Sequence, residues 1–232
     1  MRKTRWISVL LVTGLIVAGC GDKSKNPTEP EKEQTAVPEV VVVKGPTSQN
    51  APPQVRMTAN MLAGMAGLGQ GFLATAQAGQ GTKTGDSYVW TYTEDQATVT
   101  FISTPTGDGV NWEVKLNGVY NNKQVKDFVY LKGFSSSDGK SGWWEGYDLD
   151  TGEKAIRYEW TTDNQGTVHA TLTTYGDSPA KFEVVNNKDG SGSLVVYQNG
   201  VKTLQATWQA NGSGTYTVWD EDGNVVDQGN WT

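Results

Sequence analysis

Cysteine and histidine are nearly absent: Cys20 and His169 are the only ones among 232 residues. That excludes an intrachain disulfide, a Cys/His zinc site and a histidine-paired cysteine nucleophile away from the N-terminus. No apolar run is long enough to cross a bilayer as a helix, which takes ~20 residues. The run from Trp6 to Ala18 has 13, interrupted by Thr13 and Gly14. Basic residues are in deficit, 19 against 25 acids for a net charge of −6, so the chain has no electrostatic route to nucleic acid or to anionic headgroups. Beyond residue 53 proline occurs only at Pro105 and Pro179, and leucine is scarce in the last two thirds of the chain.

What is present begins with Arg2, Lys3 and Arg5 ahead of that short apolar run, which ends in small residues. This is the pattern of a signal peptide, here residues 1–19. Val17-Ala18-Gly19-Cys20 resembles the lipobox of bacterial lipoproteins. The resemblance implies cleavage before Cys20, a diacylglyceryl group on its sulfur and a further acyl chain, such as palmitate, on its amine. Two or more chains anchor stably at ~0.8 kcal/mol per buried CH₂, where one is marginal. Cleavage removes three basic residues and no acid, taking the net charge from −6 to −9, so lipid and not charge is the expected attachment to the membrane. The covalent lipid on Cys20 is the only prosthetic group implied. Gly21 stands where lipoproteins retained at the inner membrane carry Asp, so the expected address is extracytoplasmic, in the periplasm or cell envelope, and at the outer membrane where the cell has one.

Six of the eight prolines fall between residues 21 and 55 amid mixed charges and no aromatic residue. Residues 20–55 are therefore expected to be a lipidated N-terminus and a disordered tether, in which Val40–Val43 is read first as disordered or weakly docked and second as an edge strand added to the domain. Residues 56–80 change character. Met57, Met61, Met65, Leu68 and Phe72 recur at helical spacing. Gly64, Gly67, Gly69 and Gly71 each cost such a helix ~1 kcal/mol, so it needs a surface to lie against. Gly64, Gly67 and Gly71 are expected beside the Met stripe as a place of close backbone approach. The stripe is read first as a plug on a β domain and second as a lid over an apolar ligand.

From residue 85 to 232 the period is two. Tyr88, Trp90 and Tyr92 share one face; so do Val110, Trp112, Val114 and Leu116, and Ile156, Tyr158 and Trp160. Turn signals recur at Gly152, Gly176, Gly200 and Gly223, one hairpin per period of about 24 residues from about residue 142. The expected fold is mainly β: an antiparallel up-and-down meander of about twelve strands, either a curled sheet or a barrel, with one N-terminal covering helix. Eight residues after three of those glycines come Trp160, Trp208 and Trp231, with Val184 in the remaining copy. Eight is even, so these positions share a face on alternate strands, ~9.5 Å apart. The spacing from Trp208 through Gly212, Gly214 and Gly223 is similar, over about one repeat, to the glycine-aromatic hairpins of MORN repeats.

No residue set specifies a reaction, and the domain is read as noncatalytic. Asp148-Leu-Asp150 and Asp220-Glu-Asp222 start like calcium loops and do not continue as one, so no metal site is expected. Ser137-x-x-Lys140 and Lys83-Thr-Gly85 occur in the wrong order for a penicillin-recognising serine enzyme. The expected function is a membrane-anchored lipoprotein whose β domain serves binding or envelope structure. Its candidate ligand or lid contacts are Met57, Met61, Met65, Leu68 and Phe72 together with Trp160, Trp208 and Trp231, and its partner is an apolar ligand or an envelope protein. The outline is similar to periplasmic lipid carriers with a curled sheet and helical lid. The alternative is a glycan-binding module or weak glycan hydrolase, which requires aromatic residues on the solvent side of the sheet.

Overall fold

Apolar-polar alternation punctuated by glycine turns builds thirteen strands, each hydrogen-bonded to the strands before and after it in sequence. The computed structural model describes residues 38–78, 81–94 and 96–232. The first strands are β1 (Thr82–Thr84), β2 (Ser87–Glu94), β3 (Gln96–Pro105), β4 (Gly109–Tyr120) and β5 (Lys123–Ser136). The middle is β6 (Ser141–Tyr147), β7 (Lys154–Thr162), β8 (Val168–Thr174) and β9 (Ala180–Asn186). The sheet ends with β10 (Gly192–Gln198), β11 (Val201–Trp208), β12 (Gly214–Trp219) and β13 (Val225–Trp231). All neighbours are antiparallel, and β1 and β13 do not meet, so the meander is an open sheet and not a barrel. The strand beyond the expected dozen is the three-residue β1.

One face of this sheet is apolar. Trp90, Trp112, Trp144, Trp160, Trp208 and Trp231 are all buried there, with Phe101, Tyr158, Leu172 and Leu194 between them. The repeat places Trp160, Val184, Trp208 and Trp231 on β7, β9, β11 and β13, every second strand, as the even spacing requires. Four of these indoles lie over a glycine of a neighbouring strand: Trp112 on Gly133, Trp160 on Gly142, Trp208 on Gly192 and Trp231 on Gly214. A Cβ at Gly192 would stand 2.6 Å from Trp208 Cζ2, well inside contact distance, so glycine is what lets the ring lie flat across the strand. Two of these rings also donate to the turn that precedes the glycine, Trp208 Nε1 to the Gly190 carbonyl (3.1 Å) and Trp231 Nε1 to the Gly212 carbonyl (2.6 Å).

A helix, α1 (Pro53–Ala78), packs on this face. Pro53 occupies the first helical position, where a missing N–H loses no bond. The buried seam runs Val55, Ala59, Leu62, Ala66, Gly69, Leu73, Ala76, alternating steps of four and three. This corrects the expected Met face: Met57 is 71% exposed and Met61 39%, while Met65, Leu68 and Phe72 are half-buried flanks of the core. The reason is volume. The sheet already fills the interface with indoles, so the facing helix surface must be small, and the methionines are displaced to its side. The glycines are corrected in the same way. A Cβ on Gly64, Gly67 or Gly71 would meet nothing within 4 Å, whereas one on Gly69 would touch Trp144 at 3.4 Å.

Residues 38–46 also differ from the tether expected over 20–55. Val40 and Val43 are buried in the core, at 4% and 3% exposure. The segment forms no ladder; side chains replace the neighbouring strand. Ser135 Oγ donates to the Glu39 carbonyl (2.7 Å), Gln70 Nε2 to that of Val40 (2.6 Å) and the Tyr158 hydroxyl to that of Val41 (2.7 Å). The Asn186 side chain accepts from Lys44 N (2.7 Å) and donates to the Lys44 carbonyl (2.8 Å). The Val40–Val43 run supplies the apolar surface that docks the segment, and it does so without pairing as an edge strand. Residues 38–46 are a strap tied across the sheet. The expected signal peptide, Cys20 and residues 21–37 of the expected tether lie outside the described residues.

Candidate binding surface on the outer face of the sheet

The residues first singled out for a ligand do not converge on a cavity. Trp160 and Trp208 are buried beneath the helix and strap, Trp231 closes the last hairpin, and Met57 and Met61 face solvent. Between helix and sheet, the space bounded by Val43, Ala59, Leu62, Val184, Leu194 and Trp208 measures about 10 Å³. That is no more than one water molecule occupies.

The opposite face carries the pattern. Strand parity that turns Trp144, Leu172, Val196 and Val218 inward turns Tyr147, Tyr175, Tyr197 and Trp219 outward, all at the same end of the sheet. They stand at or one residue past the C-terminal ends of β6, β8, β10 and β12, every second strand, with ~9.5 Å between successive rings. The intervening strands supply a cation for each. Lys132 on β5 lies 5.2 Å from the Tyr147 ring centre, and Lys154 on β7 lies 5.0 Å from that of Tyr175. Lys181 on β9 lies 5.9 Å from the Tyr197 ring, and Lys202 on β11 lies 4.2 Å from that of Trp219. Cation and aromatic thus alternate across eight consecutive strands, each pair within cation–π range. Tyr175 is the most exposed of the four rings at 36%, and Tyr147, Tyr197 and Trp219 are half-buried. Trp143 also faces outward and carries the Arg157 guanidinium 4.8 Å from its ring centre.

At one end of this stripe sits Glu145, the one carboxylate buried among the described residues, at 7% exposure. It accepts from Arg157 Nη1 (2.7 Å), Lys154 Nζ (3.0 Å) and the Tyr147 hydroxyl (3.0 Å), with Lys132 Nζ at 3.7 Å. Burial pushes its pKa up, but the hydrogen bonds from Lys154, Arg157 and Tyr147 outweigh it and hold the carboxyl at about 2. A group that keeps its charge throughout the neutral range is no proton donor; it is the node that fixes three cations and a phenol in place. Along the stripe Lys132, Lys154, Arg157 and Lys181 are ion-paired with Glu145, Glu159 and Glu183, Lys202 lies over Trp219, and the adjacent turns add Asp148, Asp150, Asp177, Asp220, Glu221 and Asp222, so the stripe is not a positive patch.

The acids at the adjacent turns are engaged with backbone. Asp148 Oδ1 accepts from the N–H groups of Asp150 (2.7 Å) and Thr151 (2.9 Å), and Asp220 Oδ1 from those of Asn224 (2.8 Å) and Asp222 (3.1 Å). Those backbone bonds lower the pKa of both carboxyls. The two segments that begin like calcium loops are hairpin turns capped by their own aspartates. Among the described residues no group of three His, Cys, Asp or Glu side chains is placed to hold a metal ion. His169 lies exposed on β8.

Sequence reasoning missed the outward rings and Glu145. A signal for the rings was available: Tyr175, Tyr197 and Trp219 are spaced by 22 and 22 residues, one hairpin each, out of phase with the buried tryptophans. Glu145 gave none, because one acid among 25 is set apart only by what the fold brings to it. No protein-family model and no curated protein matches the chain.

Proposed function

We propose that this chain is a lipid-anchored protein of the cell envelope, cleaved before Cys20, held at a membrane by acyl chains there, and displaying a noncatalytic β domain whose working surface is the outside of its sheet. The order Val17-Ala18-Gly19-Cys20 behind a basic, short apolar leader carries the anchor. What carries the surface reading is the contrast between the faces: the side under α1 and the strap is packed with buried indoles, while the other side presents a regular row of partly exposed rings. An apolar ligand would have to displace both the α1 seam and the strap, so of the ligand classes considered, one that binds on an exposed surface fits best. The glycan-binding alternative is favoured by one specific observation, the outward placement of Trp143 and Trp219 with Tyr147, Tyr175 and Tyr197. Localisation is extracytoplasmic, at the outer membrane where the cell has one.

Metabolic labelling with palmitate tests the anchor. The mature chain should carry label, begin at residue 20 and partition into the detergent phase of a Triton X-114 separation, and Cys20→Ser should lose all three. An unlabelled mature chain retaining residues 1–19 would overturn the anchor. The surface reading is tested separately by native extraction: an apolar molecule released stoichiometrically on unfolding would move the binding site to the helix-covered side.

A further inference from the structure

A helix face that meets water is ordinarily charged, and the outward side of α1 is not. From Met57 to Ala78 the helix has no charged residue. Its exposed side includes Met57, Asn60, Met61 and Gly64, with Met65, Leu68 and Phe72 half-buried along one flank. The acids of the chain are partitioned in the same sense. Residues 81–232 hold 20 acids against 11 bases, whereas strap and helix together, residues 38–78, hold one acid, Glu39, against Lys44 and Arg56. The acids that border this side belong to the strand ends at its rim. There Asp138, Asp163 and Asp189 accept from the N–H groups of their own turns, and Asp227 from the Tyr216 hydroxyl.

Between the end of the strap and the first turns of α1 lies a polar concavity of about 230 Å³, lined by Thr47, Ser48, Gln49, Arg56 and Asn60 and by no acid. The Arg56 guanidinium is under-bonded: Nη1 donates to Gln49 Oε1 at a long 3.4 Å, and Nε has no hydrogen-bond partner among the described residues. Arg157, by contrast, meets both Glu145 and Glu159. A guanidinium left in this state suits a phosphate oxygen. The chain also arrives on this side. The strap starts at Pro38, 18 residues after Cys20, so an anchor there keeps Pro38 within ~60 Å of the bilayer even at full extension. Contact between a tethered domain and its own membrane is effectively intramolecular, so a weak apolar contact suffices.

Resting on the reading that Cys20 is acylated, we infer that the helix-and-strap side of the domain lies against the bilayer, with Met57 and Met61 in the interface and a phospholipid phosphate at Arg56. The net charge of the chain gives no long-range attraction. Its uneven distribution decides which side can approach, because within a Debye length of ~8 Å the acidic sheet is repelled by anionic headgroups and the acid-poor side is not. The outer face of the sheet is thereby turned away from the membrane.

The mature lipidated chain on vesicles of phosphatidylethanolamine and phosphatidylglycerol provides the test. With Cys20 acylated, Met57→Cys, Met61→Cys and, as a control on the outer face, Lys202→Cys each present a single free thiol for a fluorophore. Spin-labelled phospholipid should quench the label at positions 57 and 61 about twofold and leave that at 202 unchanged, and aqueous iodide should do the reverse. Met57→Glu places a charge on a side chain that is 71% exposed, so it should leave the fold intact and move the label at position 61 into water. Arg56→Gln should cut the lipid quenching at position 61 by about half. If Arg56→Gln fails to fold, Met57→Glu still tests the contact. Labels at 57 and 61 as open to iodide as that at 202 overturn the inference. So does equal lipid quenching at all three positions, which shows that no side is preferred, and so does lipid quenching at 61 that neither variant alters. An effect of Met57→Glu without one of Arg56→Gln overturns the phosphate contact and leaves the bilayer contact standing. A chain that takes up no palmitate and washes off the vesicles refutes the anchor, and the inference with it; a palmitate-labelled chain with both methionine positions in water refutes the inference alone.

Discussion

The two faces of the sheet are made by the same strands from the same kinds of residue and do opposite things. Inward, aromatic rings lie flat on glycines and are sealed by small helix residues and a valine strap; Trp112, Trp144 and Trp160 are no more than 2% exposed. Outward, rings of the same types stand only partly buried beside lysines. The difference is parity alone: on β6 consecutive tryptophans, Trp143 and Trp144, fall on opposite sides of the sheet. A ring on the inner face is fixed by volume, because every neighbour is packed against it. One on the outer face has water as an alternative partner and is left available.

Removing one ring from each face should expose this contrast most strongly. Trp208→Ala deletes a ring that is 3% exposed and its bond to the Gly190 carbonyl, and should cost ~3–5 kcal/mol. Trp219→Ala deletes a half-exposed ring and should cost less than ~1 kcal/mol. Urea denaturation of both variants checks it; equal losses would mean that the outer ring is as structural as the inner one.

The next largest effect comes from adding atoms. A Cβ at Gly142 would run into the Trp160 ring and the Phe134 carbonyl, so Gly142→Ala should destabilise by ~1–3 kcal/mol through forced repacking. Gly152 meets nothing within 4 Å and is held only by its φ of +72°, so Gly152→Ala should cost ~1 kcal/mol. If the two losses are the same, glycine on the inner face serves the backbone and not the ring above it. A smaller change tests the strap. Tyr158→Phe leaves the ring and removes the hydroxyl that bonds the Val41 carbonyl, for a loss of ~1 kcal/mol. Proteolysis should then cut within residues 38–46 faster than in the parent chain, and an unchanged cleavage rate would show that the valines alone hold the strap.

The parts of this architecture written in short-range periodicity were legible in the sequence. Alternation of Tyr88, Trp90 and Tyr92, or of Tyr158 and Trp160, marks a half-buried strand without any knowledge of its neighbours, and the 24-residue turn spacing orders the strands into a meander. Closure was not legible, because it depends on accumulated twist and on whether β1 meets β13. The helix was legible as a helix, but its buried side was misassigned. Hydrophobicity pointed to Met57 and Met61, whereas the contact is decided by the volume left over by Trp144 and its neighbours, which no window of the helix contains. The strap was only half legible: Val40–Val43 stand out as an apolar stretch, but the side chains that hold the segment, Ser135 on Glu39, Tyr158 on Val41 and Asn186 on Lys44, lie more than 90 residues away. The outer stripe was half legible: its ring spacing is in the sequence, but its pairing with Lys154, Lys181 and Lys202 needs the register.

The last expected effect concerns the outer face and depends on pH. Glu145 has a carboxyl at about 2 in the folded chain against an ordinary value of 4.5. Between those values the unfolded chain binds more protons than the folded one, so stability rises with pH across that window. The contribution of Glu145 is complete above pH 4.5 and is lost as the pH falls toward 2. In Glu145→Gln no proton can be taken up at this position, so the variant should be less stable than the parent at neutral pH, and the two should converge on acidification. Backbone-bonded aspartates such as Asp148 and Asp220, whose carboxyls are also held low, keep some acid sensitivity in both chains. Urea midpoints taken at intervals from neutral pH to pH 2 therefore test the difference between the two chains, not the slope of either. A difference that stays constant over the whole range would mean that Glu145 acts through shape and hydrogen bonding and not through its charge. The cations of the stripe would then need another anchor, and the outer face would be no more ordered than an ordinary solvated sheet.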